Sequence, residues 1–234
     1  MTIPQSNATI DNVLTEFLAE QRERLSDRTF QRYEEIVELL RHSLDRYAYN
    51  SLDHDERQRW EAEFESHEEG AFCRLFSPEK IPEHLGEFLG YFMVRKVIAG
   101  QELLKASGTV TSKLMRWLAE DGYIDNATAE DASDHAREAA RDLPIADRFT
   151  TLLDEVTERA PEIDPDTLAD GDWVEDYLEI TDVEPGKIWF DGGVGPIVVP
   201  RKTSDLARPG WSACISAARI AGRWHLIEVG AVYP

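Results

Sequence analysis

The sequence predicts an α+β protein: an all-α helical domain over residues 1–126, a helical connector and acidic linker over 127–168, and a small five-stranded β-barrel over 169–234. Three observations carry that prediction. Apolar residues recur at helical spacing through the first two thirds of the chain, short β-branched and aromatic runs replace them beyond Trp173, and APEIDPDTLADGDW at 160–173 separates the two patterns with prolines, a glycine and acids. With 234 residues, 42% of them hydrophobic, the chain has material for one large or two small cores.

The elements follow in order. Ile10, Val13, Leu14, Phe17 and Leu18 form an apolar stripe opposite Glu16, Glu20 and Arg22, which specifies a first helix. Ser26 then offers a hydroxyl to the free amides of a second helix, with Phe30, Tyr33, Val37, Leu40 and Leu44 on one face and Glu34, Glu35, Glu38, Arg41 and Asp45 on the other. A more polar third helix, residues 53–67, buries Trp60 and Phe64 as a pair and ends at Gly70. Ser77 and Pro78 mark another start, and Pro82 restarts a helix through Leu85, Phe88, Leu89, Phe92 and Val97. Ser107 and Gly108 are read as a break, after which Thr109 or Thr111 caps a short helix carrying Leu114, Trp117 and Leu118 and closed by Gly122. Thr128 with Asp131 opens an alanine-rich strut to about Arg141, and Phe149, Leu152, Leu153 and Val156 define one further helix.

Strands are expected at 173–182, 187–190, 195–199, 210–220 and 223–229, joined through EPGK, DGG and AGR turns. Five strands in so short a span imply a strongly curved barrel, comparable in strand count to an OB-fold or an SH3-like barrel. In GRWHLIEVG, alternation sends Trp224, Leu226 and Glu228 to one face and His225 and Ile227 to the other.

Charge is the next constraint. The formal net charge is −21, and an acidic surface repels nucleic acid and anionic lipid. Residues 173–234 hold 8 acidic and 6 basic residues, so residues 1–172 carry a net −19; from Lys187 onward there are 6 basic and 3 acidic residues. The end of the chain is therefore the stretch friendly to phosphate. There Trp189, Trp211, Trp224 and Tyr233 interleave with cations, the combination that holds single strands by stacking and phosphate contact. Lys187, Arg201, Lys202, Arg208, Trp211, Arg219 and Arg223 are the expected nucleic-acid contacts. A competing reading places the tryptophans, Trp189 and Trp224 above all, in the barrel core, leaves the barrel structural, and makes the acidic helical half a docking surface for a basic protein.

A further signal lies in LSDRTFQRYEEIVELLRHSL, residues 25–44, and GTVTSKLMRWLAEDGYID, residues 108–125. Leu25, Ser26, Thr29 and Tyr33 in the first, and Thr109, Leu114, Trp117, Leu118, Gly122 and Ile124 in the second, make residues 10–126 similar to the SAM-like core-binding domain of phage integrases and other tyrosine recombinases. That family clamps duplex DNA with this domain, so the resemblance implies contacts from Arg28, Arg32, Lys113 and Arg116; the alternative is that these cations serve neighbouring Glu34, Glu35 and Glu120. The catalytic half of a recombinase has no counterpart: the only His-x-x-Arg, His54 to Arg57, lies in the helical half, and Tyr233 ends the chain without a large domain around it.

No nucleophile, general base or phosphate loop is expected elsewhere, and DGGVG at 191–195 fits a turn. Glu63 with His67, and Glu83 with His84, lack the pairing of a metal site, so neither metal nor cofactor is expected and the reading is non-enzymatic. Cys73 and Cys214 are expected as two buried thiols. Without an apolar run of about 20 residues or a signal core, no membrane partner is expected and the location is read as cytoplasmic.

Overall fold

The computed structural model describes residues 8–67 and 69–234. It divides into two compact units, the first ending at Ala140 and the second spanning Arg141–Pro234.

In the first unit, α1 (Ile10–Arg24) starts where Thr9 accepts the Asn12 amide, and α2 (Asp27–Tyr47) where Ser26 accepts the Thr29 amide. Their buried stripes, Ile10, Val13, Leu14 and Phe17 against Phe30, Tyr33, Ile36, Val37, Leu40 and Leu44, are the core of this unit. After a 3-10 turn, Ala48–Ser51, comes α3 (His54–His67). A reciprocal cap opens it: the Glu56 amide donates to Asp53 at 2.8 Å and the Asp53 amide to Glu56 at 3.3 Å. The expected burial of Trp60 and Phe64 is corrected here. Phe64 is 43% exposed, because α3 is polar on nearly every face and leans its rings on Tyr49 rather than on the core.

Gly70, at φ 75°, turns the chain into α4 (Ala71–Leu75). The two prolines then start 3-10 turns, Pro78–Lys80 and Pro82–His84, instead of one long helix, and a π-helical turn, Glu87–Phe92, leads into α5 (Met93–Arg95).

The expected break at Ser107 and Gly108 is also corrected, since α6 (Gln101–Glu120) runs through both. A Cβ on Gly108 would meet the Ala136 carbonyl oxygen at 2.3 Å and the Ala140 amide nitrogen at 2.5 Å. Glycine is needed there because another helix backbone passes, not because the helix ends. Thr109 and Thr111 consequently cap nothing; their hydroxyls donate to the Lys105 and Ser107 carbonyls inside the helix. The passing element is α7 (Asn126–Thr157), a single helix containing Pro144 where two were expected. Its cap is Asp125, which accepts the Thr128 amide at 2.9 Å, rather than Thr128 itself. Ala129, Ser133 and Ala136 are buried, so the thin stripe read as a strut is a close-packing face.

The second unit takes the last part of α7 and an antiparallel sheet of order β3-β2-β1-β4-β5. Its strands are β1 (Trp173–Glu184), β2 (Lys187–Phe190), β3 (Ile197–Val198), β4 (Ser212–Ile220) and β5 (Arg223–Tyr233), with α8 (Arg201–Ser204) between β3 and β4. β1 is shared: Trp173 to Glu179 pair with β4, and Ile180 to Glu184 pair with β2 across a bulge between Ile180 and Asp182. The sheet is not closed, which corrects the expected barrel. Pro196 and Pro200 flank β3 and lack the N–H a ladder needs, so among the described residues β3 forms only two pairs, both with β2, and its other edge is hydrogen-bonded to no strand although it lies near β5.

Phe149 and Leu153 of α7 pack with Leu178, Ile180, Ile188, Phe190, Ile197, Ile215, Leu226 and Val232 as one core. In β5, Leu226 lies opposite Ala217 and Glu228 opposite Ser216, leaving Ile227 as the extra residue of a bulge. That bulge turns Glu228 outward, against the simple alternation, while Trp224 and Leu226 pack on the core. Among the described residues, no helix is long and apolar enough to cross a membrane.

Candidate nucleic-acid interface

β4 and β5 are joined by a tight turn in which Ala221 (φ 48°) and Gly222 (φ 78°) are both left-handed, as a two-residue hairpin requires. In such a hairpin the flanking pair, Ile220 with Arg223, exchanges hydrogen bonds, so by alternation the backbone groups of Trp224 and Leu226 point away from β4. They point at a cleft of about 650 Å³. One wall is the segment from Gly195 to Pro200 around β3, the other is Gly222 to Leu226, and Val156, Arg159 and Ala160 complete it.

The lining is unusual for this chain. Arg159, Arg223 and His225 bring cationic or protonatable groups, Trp224 brings a half-buried ring, and none of the described residues that line the cleft carries a carboxylate. Both arginines are exposed. Two guanidinium groups, an indole and a strand edge offering backbone donors and acceptors can hold an anion joined to a flat ring.

The residues expected from sequence fare differently from one another. Arg223 lines the cleft. Arg219 lies beside it, its guanidinium 5.7 Å from the Trp224 ring and 2.6 Å from Asp172. Lys187 pairs with Glu184 at 3.2 Å, Arg201 with Asp205 at 3.9 Å, and Lys202 with Glu155 at 2.5 Å. Arg208 donates to the carbonyls of Asp205 and Ala207. Trp211 is 8% exposed inside the core, so its ring offers no face to a base; this corrects its expected stacking role. Arg159 and His225 were not anticipated. The one signal for Arg159 was an arginine at the end of an amphipathic stretch, which composition does not distinguish from a surface charge.

In the first unit, Arg28 is exposed near the start of α2, and Arg32 pairs with Glu35 at 2.5 Å. Lys113 lies 5.5 Å from the Tyr33 ring, and Arg116 donates to Ser112 at 3.3 Å. Around them Glu16 accepts from Tyr123 and Glu20 from Trp117, so carboxylates share this surface.

Other reactive groups are engaged structurally. His84 Nε2 is 3.2 Å from Ser51 Oγ, a pair the sequence did not suggest. The Ser51 hydroxyl donates to the Ala48 carbonyl, which aims its proton away from the imidazole, and burial holds the His84 pKa below the usual value. Burial, with Asp45 beside it, pushes the Cys73 thiol far above its ordinary range, leaving it protonated. Both cysteines are free thiols, and Cys214 is half-buried rather than buried. Glu63 accepts from Arg74 at 3.0 Å, and the His67 side chain lies outside the described residues. Asp191 accepts the Glu179 amide, fixing DGG as a strand-connecting turn.

No protein-family model, curated protein or solved structure matches this chain.

Proposed function

We propose that the protein binds single-stranded nucleic acid through the cleft between β3 and β5, with the helical unit as a recombinase-type scaffold lacking that family's catalytic residues. The observation that carries this reading is the carboxylate-free lining of the cleft in a chain of net charge −21. Arg159 and Arg223 contact phosphates, and Trp224 supports an unstacked base. A single strand suits the site better than a duplex, because the cleft is of small-ligand size, within about 300–1,000 Å³, and the Trp224 ring needs a base face that a duplex keeps stacked. At about 0.1 M salt the Debye length is about 10 Å, so the acidity of residues 1–172 is screened beyond the immediate surroundings of the arginines.

Fluorescence anisotropy of a labelled single-stranded oligonucleotide, titrated with the full chain over a range of salt, tests this. The affinity is expected to fall with salt with a log–log slope of about −1.4, from about −0.7 for each of two phosphates. Arg159→Glu with Arg223→Glu is expected to weaken binding at least about tenfold, since each lost charge-assisted contact is worth about 1.5 kcal/mol or more. Absence of salt-dependent binding, or a double variant that binds like the native chain, overturns the proposal.

A further inference from the structure

The first unit carries a concave surface of its own, opposite in character to the cleft. A groove of about 1170 Å³ runs where α2, the turn after it, α3 and the start of α4 meet. One wall is a ladder of three rings: Tyr49 stacks on Trp60 at 4.6 Å and 11°, and Trp60 on Phe64 at 5.2 Å and 26°. The ladder ends in Phe64, whose 43% exposure leaves an apolar ring facing water on a helix that is otherwise polar.

Facing the rings, the groove is lined by Asp11, Glu35, Glu38, Asp45 and Glu69. Arg41 and Arg74 also line it, but Arg41 is held by Glu38 and by the Asp11 carbonyl and Thr15 hydroxyl, and Arg74 by Glu63. Arg46 and His42 lie on the same surface.

We propose that this groove docks a basic, arginine- or lysine-rich segment of a partner protein. Its cations lie over the Trp60 and Phe64 rings, where the ring quadrupole attracts them, and against the carboxylate of Glu69 and those of Glu35 and Glu38, which each also hold an arginine of this chain, Arg32 and Arg41. A protein segment is favoured over any phosphate-bearing partner because residues 1–172 carry a net −19, which repels anions and draws cations. The groove thus takes a ligand of the opposite charge to the one assigned to the β3–β5 cleft, and neither site depends on the other.

The test uses the full chain and a fluorescein-labelled arginine-rich peptide, with an acidic peptide of equal length as comparison. Phe64→Ser, and separately Glu35→Lys with Glu69→Lys, are expected to weaken the arginine-rich peptide on the order of tenfold, the size of an exposed ring contact or of two lost charge contacts. Glu102→Lys with Glu130→Lys makes the same change of charge on exposed positions of α6 and α7, away from the groove, and is expected to change affinity less than about threefold. Arg159→Glu with Arg223→Glu is expected to leave peptide binding intact, which separates this site from the cleft. Circular dichroism establishes that each variant is folded. Failure of the native chain to bind the basic peptide at low salt, equal weakening by the Glu102 and Glu130 pair, or native affinity in both groove variants overturns the proposal.

Discussion

Replacing Gly108 by alanine adds a single methyl group where α6 and α7 pass closely in the first unit. The new carbon would sit 2.3 Å from the Ala136 carbonyl oxygen, 2.5 Å from the Ala140 amide nitrogen and 2.8 Å from the Ala140 Cβ, against ordinary contact at 3.4 Å or more. Two of these neighbours are backbone, so no side chain can swing aside; α6 and α7 must part by about 1 Å and lose contacts along their whole crossing. Overpacking of this kind costs about 1–3 kcal/mol, while alanine recovers about 1 kcal/mol of helix propensity over glycine, leaving a net loss of up to about 2 kcal/mol. Urea denaturation followed by far-UV circular dichroism and tryptophan fluorescence measures the difference. Gly86→Ala is the reference, since Gly86 is helical (φ −60°) and a Cβ there meets nothing within 4 Å. It gains the propensity without the clash and is expected to be neutral or stabilising. If Gly108→Ala proves as stable as Gly86→Ala, the close approach of α6 and α7 is wrong.

Three further outcomes are expected. Burial lowers the His84 pKa below 6.5, so between 6.5 and the native value the unfolded chain binds more protons; stability is present above 6.5 and lost as the pH falls through that window. Denaturant midpoints across this range are expected to decline for the native chain and to flatten in His84→Gln. Asp53→Ala removes the carboxylate that accepts the Glu56 amide and is expected to cost about 1 kcal/mol, read by chemical denaturation; no loss would mean that α3 does not depend on its cap. Quenching of tryptophan fluorescence by a single-stranded oligonucleotide is expected to disappear in Trp224→Phe and to persist in Trp211→Phe, because Trp211 is buried in the core while Trp224 lines the cleft.

What could be read from the sequence was local. Ser26 and the apolar stripes of the first two helices specify α1 and α2 within a few residues of chain, and the turn glycines place the strands. Gly108 was misread because glycine disfavours a helix by a local rule, whereas its actual cause is a backbone that returns from a distant part of the chain. Phe64 follows Trp60 at helical spacing, but spacing cannot say whether a core lies opposite; here it does not. Strand positions likewise leave closure undetermined, although Pro196 and Pro200 already limited how far β3 could pair. The site was legible in proportion. A count of charges found the basic end of the chain and therefore Arg223, but it could not see that Lys202 and Arg219 find carboxylates 47 positions away, or that Arg159 joins Arg223 across the fold.

The most direct measurement is photocrosslinking of a bromodeoxyuridine-containing single-stranded oligonucleotide to the full chain, followed by peptide mapping. Crosslinks are expected at Trp224 or His225, the ring-bearing residues of the cleft, and are expected to vanish when Arg159 and Arg223 are both changed to glutamate. Crosslinks confined to residues 8–140, or an unchanged pattern in the double variant, would contradict the assignment of nucleic acid to the β3–β5 cleft.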